Sequence, residues 1–453
     1  MRIKSRLQRS PGLVVLLVMT IALAMASAGC SESRSTVSTF TPTAPISLPS
    51  DAESNERAIR FLEERVKRDR DDFIAYNKLA EFYLQRLRET GAVSYVNLAL
   101  EASRASLSAM PPEMNKAGLA VLAQAEFAAH EFVSARNHAT RLAELDKGKS
   151  YPYQILGDAL TELGDYDAAG RVYADMERLG GGASVETRLA RAALLHGKRD
   201  EAVRHFTTAL QIALTSSAPQ REATAWIHWQ LGEVEFLTGR YAAAEQHYRD
   251  ALAVFPNYYR ALAGVGRSRA ALGDIDGAVE NYERAVQILP DPSFIAALGD
   301  LYRLSGRESE AAKQYQLVEQ IQKLNLANGV LYNRQLAMFH ADHDLNVKSA
   351  YAEAMKEYET RKDVYGSDAV AWTALKAGRI KEAQTAISET LRFGTTDPKL
   401  YYHAGMIALA NGDRTAARDN LNRALTMSPQ FDPIQSANAR KALDTLAGEG
   451  TGE

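Results

Sequence analysis

Apolar residues in this chain fall three and four residues apart in blocks punctuated by glycine, the pattern of short amphipathic helices laid end to end. Tyr76, Leu79, Ala80 and Tyr83 make one block; Leu122, Ala123, Phe132 and Ala135 belong to later ones. A stricter pattern runs through the rest: a glycine, an alanine five residues on, and an aromatic or large aliphatic residue nine residues on. It occurs seven times, at Gly164/Ala169/Tyr173, Gly197/Ala202/Phe206, Gly239/Ala244/Tyr248, Gly273/Ala278/Tyr282, Gly306/Ala311/Tyr315, Gly378/Ala383/Ile387 and Gly412/Ala417/Leu421. Successive glycines lie 33, 42, 34, 33, 72 and 34 residues apart, so the 72 has room for one further copy and the 42 for a copy with an insertion. Such a period predicts stacked helical hairpins and an all-α fold.

Each copy reads as two helices. The first carries an apolar residue followed by a very small one (Leu156-Gly157, Leu231-Gly232, Val265-Gly266, Leu298-Gly299). The recurring glycine ends that helix, because a residue without Cβ adopts the left-handed conformation cheaply. The alanine of the second helix then packs on the first, and the ring four residues on (Tyr248, Tyr282, Tyr315) is expected to fill the gap to the next hairpin. Pro256, Pro290 and Pro429 stand where the second helix must stop.

These residues resemble the tetratricopeptide repeat, with its W-x2-L-G-x2-Y, A-x3-F and P pattern. The best copies are 228–256, 262–290 and 295–318. His228 and Ile295 stand at the usual tryptophan, and Glu235 and Arg269 at the usual tyrosine. The resemblance implies a tetratricopeptide-repeat α-solenoid, a superhelix of antiparallel helix pairs, with about ten repeats over 57–432. A capping helix at 433–447 and a disordered tail at 448–453 are expected to follow.

The N-terminus differs in kind. Arg2, Lys4, Arg6 and Arg9 precede an apolar run from Gly12 to Ala26, and Ala28-Gly29-Cys30 follows. This is an export signal, with an apolar run too short to span a bilayer. It resembles a bacterial lipoprotein signal at 1–29, which implies that Cys30 becomes a lipidated N-terminus and tethers the chain to the extracytoplasmic face of an envelope. Ser31 favours the outer membrane where the cell has one. Ordinary cleavage after Ala28, giving a secreted or periplasmic protein, is the alternative. Cys30 is the single cysteine, so no intrachain disulfide forms. Residues 31–50 hold six Ser, four Thr and three Pro, so 30–56 reads as a linker.

Removing the four basic residues of 1–29 from the net charge of −3 leaves −7 for the mature chain, which argues against a nucleic-acid partner. No phosphate-binding loop, nucleophile elbow or zinc-protease helix is present, and the chain is expected to be non-catalytic, without a cofactor or small-molecule substrate. One cluster, His340, Asp342, His343 and Asp344, offers four metal-ligand types and marks an alternative metal-handling or enzymatic reading for the irregular 318–366 stretch. The expected site lies elsewhere. Trp226, Trp229, Glu233 and Phe236 form one helical stripe facing away from the hairpin-packing side, and Arg260, Arg267, Asp300, Arg303 and Arg191 fall in register on neighbouring copies. This stripe should line a concave groove for protein or peptide ligands, with the tryptophans as anchors and the arginines as carboxylate receptors.

Overall fold

A computed structural model describes residues 51–217, 220–327 and 334–448. The expected export signal, Cys30, the expected linker as far as Ser50 and the last five residues lie outside them. The described residues form helices and no strand. Their order is α1 (Asp51–Arg68), α2 (Phe73–Thr90), α3 (Ser94–Ala109), α4 (Lys116–Ala128), α5 (Phe132–Leu145), α6 (Tyr151–Glu162), α7 (Tyr166–Leu179), α8 (Ala183–Leu195), α9 (Arg199–Thr215), α10 (Arg221–Leu237) and α11 (Tyr241–Val254). Then come α12 (Tyr259–Ala271), α13 (Ile275–Ile288), α14 (Pro292–Leu304), α15 (Glu308–Ala327), α16 (Arg334–Asp342), α17 (Val347–Tyr358), α18 (Val364–Lys376), α19 (Ile380–Leu391), α20 (Pro398–Ala410), α21 (Arg414–Met427) and α22 (Gln435–Gly448). Ten consecutive pairs, α2/α3 to α20/α21, pack as hairpins, with α1 and α22 against the two ends. The expected all-α solenoid is what forms.

Local chemistry sets each hairpin turn. All seven recurring glycines have positive φ, between 68° and 88°. In three turns the next residue is an aspartate that caps the second helix: Asp165, Asp274 and Asp413 accept the backbone N–H of Ala168, Gly277 and Ala416. The copy between Gly306 and Gly378 is α16/α17, where Asp344 takes the left-handed position. The insertion before Gly239 extends α9 and α10 to 17 residues each and loops between them.

The aromatic rings pack toward the next hairpin as expected, Tyr315 meeting the Phe339 and His343 rings of α16 and Tyr248 and Tyr282 sharing core clusters with residues of α12 and α14. Each also stands over the small residue of its own hairpin: a Cβ on Gly157 or Gly232 would collide with the ring of Tyr173 or Tyr248, and on Gly266 or Gly299 with Tyr282 at 2.7 Å or Tyr315 at 2.6 Å. Only the phenol of Tyr248 is also held close by a glycine of the following hairpin, Gly264. The glycine is a notch and the ring its filling, so hairpin geometry repeats closely.

A second regularity lies across the superhelix. Hairpin turns near 164, 197 and 239 meet the inter-repeat loops near 362, 394 and 428. The Tyr166 hydroxyl accepts the Val364 N–H (2.7 Å), Thr395 Oγ1 donates to the Leu195 carbonyl (2.8 Å), and Tyr241 shares a hydrogen bond with Ser428 (2.9 Å). Arg361 pairs with Glu162 at 2.6 Å, and Phe393 meets Tyr166 edge-on. The hydrogen-bonded and ion-paired partners are 187 to 200 residues apart. About six hairpins therefore complete one superhelical turn, and the next turn rests on the first along a seam.

Gly197 lies on that seam: a Cβ there would stand 2.5 Å from the Gly394 carbonyl oxygen, while one on Gly273 would meet nothing. Both have left-handed backbones. Gly273→Ala should cost about 1 kcal/mol from backbone strain alone, and Gly197→Ala about 1–3 kcal/mol more by pushing the turns apart. Urea unfolding of both variants measures this; equal losses would show that the seam adds nothing to stability.

Candidate functional site

The residue after the notch alternates in charge over five successive hairpins, Asp158, Arg191, Glu233, Arg267 and Asp300, and the first three of these border one cavity. The notch-filling tyrosine binds the acidic members. Tyr173, Tyr248 and Tyr315 donate to Asp158, Glu233 and Asp300 at 2.9, 2.7 and 2.6 Å. Packing and polar order are thus set by one ring. Burial first, and then the neighbouring carboxylate, push these phenols above their ordinary range. Arg267 closes the link between hairpins, pairing with Glu233 at 2.6 Å and donating to the Tyr248 hydroxyl at 3.1 Å. Burial opposes its charge, but Glu233, Tyr248 and Tyr282 together outweigh that and raise its pKa.

Arg191 is the exception. Its hairpin carries Ala190 at the notch and Phe206 as the ring, so the hydroxyl of its counterparts is missing. No hydrogen bond or ion pair among the described residues reaches its guanidinium, although Asp158 and Glu162 lie near enough to favour its charged form against burial. The side chain is surrounded by protein yet keeps more than a third of its surface open, because it borders a cavity of about 490 Å³.

That cavity lies where the inner wall of α6, α8 and α10 faces the returning loops at 361–365 and 395–396. Trp226 and Trp229 form its apolar side. Trp226 also stacks edge-on against Phe206 at 6.3 Å, joining two repeats. Arg260 lies 5.4 Å from the Trp229 ring centre and 5.3 Å from that of Tyr259, with no carboxylate in ion-pair range among the described residues. The other cavity arginines are occupied: Arg188 holds Asp158 through two nitrogens (2.6 and 3.1 Å), and Arg334 holds Asp363 likewise (2.8 and 3.1 Å).

Several expected groove residues are elsewhere. Phe236 is 1% exposed, with the Arg267 guanidinium 3.9 Å above its ring, so it is core and offers a ligand no surface. Arg267, Asp300 and Arg303 do not border the cavity; Asp300 instead binds Tyr315, His343 (2.9 Å) and Arg303 (3.5 Å). The structure brings together Arg191, Trp226, Trp229, Glu233 and Arg260, and adds Asp158, Glu162, Arg188, Arg361 and Tyr365. Asp158 was legible one repeat back along the same register. Arg361 and Tyr365 enter only because the superhelix closes, which no local pattern marks.

The His340–Asp344 cluster does not converge on an ion. It also lies partly in a helix rather than wholly in a turn, since His340 and Asp342 end α16. His340 is buried and makes no hydrogen bond; Asp342 accepts from Trp372 (2.8 Å) and Gln435 (2.9 Å); His343 is held by Phe339 and Asp300. Asp344 pairs with Lys376 at 2.8 Å, and Asn346, not Asp344, precedes α17 as its cap residue. Each side chain serves a different packing contact.

The fold and inner wall define a helical-hairpin solenoid with a cavity along its inner wall. Residues 183–257, 230–293 and 370–430 match sequence profiles described as tetratricopeptide repeat, so these segments are tetratricopeptide repeats within the all-α solenoid. Repeats of this type mediate protein–protein contacts. The TPR repeat-containing protein YpiA of Bacillus subtilis (strain 168) is 24% identical over 210 residues, 45% of this chain and 40% of the relative; the chain thus spans less than half of that relative's length. Among solved structures, MamA covers 38% of this chain and 97% of its own at 22% identity and TM-score 0.32. PilW, titled a widely conserved type IV pilus biogenesis factor, covers 49% and 96% at 15% identity and TM-score 0.39. At these scores neither likeness bears on function.

Next to the cavity mouth, Asp397 caps α20 by accepting the Lys399 N–H (2.9 Å). Burial, with Asp368 adding to it and Lys399 opposing, pushes its carboxyl up to about 6. A folded-state pKa above the unfolded value means that ionisation costs stability: the cost is absent below about pH 4 and complete above about pH 7. Asp397→Asn keeps a capping oxygen and should gain about 1–2 kcal/mol over wild type at pH 8 and nothing at pH 4, measured by urea unfolding at both. A gain that ignores pH would place its cause elsewhere.

Proposed function

We propose that this chain is a non-catalytic, membrane-tethered scaffold that takes a short partner segment into its inner cavity, the segment presenting a carboxylate beside an aromatic or aliphatic side chain. The observation that carries this is Arg191: a charged guanidinium with no hydrogen-bond or ion-pair partner among the described residues, bordering a cavity that two indoles also line. A second cation, Arg260, with no carboxylate in ion-pair range among the described residues, stacks on one of them. Arginine forks bind carboxylates in two-point fashion, and arginine and tryptophan dominate binding energy at interfaces. The volume suits a few residues of peptide rather than a helix. Lipidation at Cys30 would hold the solenoid at the extracytoplasmic face of an envelope, the outer membrane where one exists. Support for that address is the N-terminal sequence; no described helix is long and apolar enough to cross a membrane.

Panning a displayed peptide library with free C-termini should enrich one carboxylate-bearing sequence. Against that peptide, Arg191→Ala, Arg260→Ala and Trp229→Ala should each weaken binding by about tenfold or more in fluorescence anisotropy, with unchanged circular dichroism. Affinities equal to wild type in all three would remove the cavity from consideration. Metabolic labelling with an alkyne fatty acid should mark the wild type and not Cys30→Ala; label on neither, or on both, rejects the tether.

A further inference from the structure

Outside the cavity, one hairpin carries an arrangement that the binding role does not use. His228 on α10 and His247 and Asp250 on α11 each offer a ligand atom, and these atoms lie within 4.8 Å of one another. This is the one such group among the described residues. His247 and Asp250, three residues apart, share a face of α11 that turns toward His228. The Nδ1 atoms of both histidines are buried and have no hydrogen-bond partner. Gln246 donates to Asp250 Oδ1 (2.8 Å), fixing that carboxylate as a supporting residue fixes a ligand.

From this geometry we propose that His228, His247 and Asp250 form a binding site for one zinc ion or a like borderline divalent cation, with the fourth position open to water. Two imidazoles and a carboxylate are a zinc donor set. In a tetrahedral site such atoms stand about 3.4 Å apart, so modest rotation of the side chains brings them to the ion from their present 4.8 Å span. An alternative occupant of the space would be an apolar side chain. Tryptophan is usual at the position of His228 in the repeat pattern, and a fully apolar packing would leave no nitrogen unmet. Two buried nitrogens without partners in one hairpin are costly unless something binds them. Burial lowers the pKa of both rings, with Asp250 opposing, so the neutral form that binds metal prevails at pH 7. None of the three residues borders the Arg191 cavity, so this site is separate from the peptide site.

The full chain, purified without a polyhistidine tag and stripped by chelator, is titrated with zinc chloride by calorimetry and with cobalt(II) by visible absorption. Wild type should bind one equivalent and give the intense cobalt bands of a tetrahedral site. His247→Ala and His228→Trp should lose both signals, the latter restoring the usual repeat residue and so keeping the fold. His343→Ala should retain them. Absence of binding by wild type, wild-type binding by His228→Trp, or loss in His343→Ala would overturn the site.

Discussion

One contact sets the geometry of this molecule: a tyrosine ring laid in the space where a glycine lacks its Cβ. Tyr173, Tyr248, Tyr282 and Tyr315 occupy such notches in four hairpins, and Leu421 fills the equivalent notch above Gly405. A ring seated this way fixes the distance and rotation between two helices at once, because either a larger notch residue or a smaller filling leaves a clash or a void. The same ring carries its hydroxyl to the inner wall and determines which acid there is held. Hairpin shape and the order of charges along the interior therefore share one cause.

Repetition of that geometry produces the second level of order. Equal hairpins stacked with equal rotation make a superhelix, and after about six of them the turns of the chain meet residues 187 to 200 positions away. Small or polar residues meet at that seam (Gly164, Gly197 and Gly239 below; Gly394, Thr395 and Ser428 above), so backbones approach and exchange hydrogen bonds directly. An array whose stability is ordinarily a sum of neighbour terms here gains terms that exist only when the full circuit is made.

The hairpins were readable from the sequence because their cause is local: a left-handed glycine, a small residue seven positions earlier and a ring nine positions later. Copies were hidden where another residue takes the left-handed position. His130 does so between α4 and α5, and Asp344 between α16 and α17, where the buried Ala350 and Ala354 fall one position later than the pattern requires. Within the site, Trp226, Trp229, Arg191 and Arg260 were legible from register. Phe236 was misplaced because a helical stripe spans more than the open face, and its last member turns beneath Arg267 into the core. The side of the cavity built by Arg361, Tyr365 and Thr395 depends on the summed rotation of six hairpins, which is a global quantity.

Closure of the superhelix on itself also governs time. A guest of the kind proposed would meet the next coil along that stretch, where the contacts between Glu162 and Arg361 and between Leu195 and Thr395 hold the two coils together. For such a guest the rate of release would follow how often those contacts part.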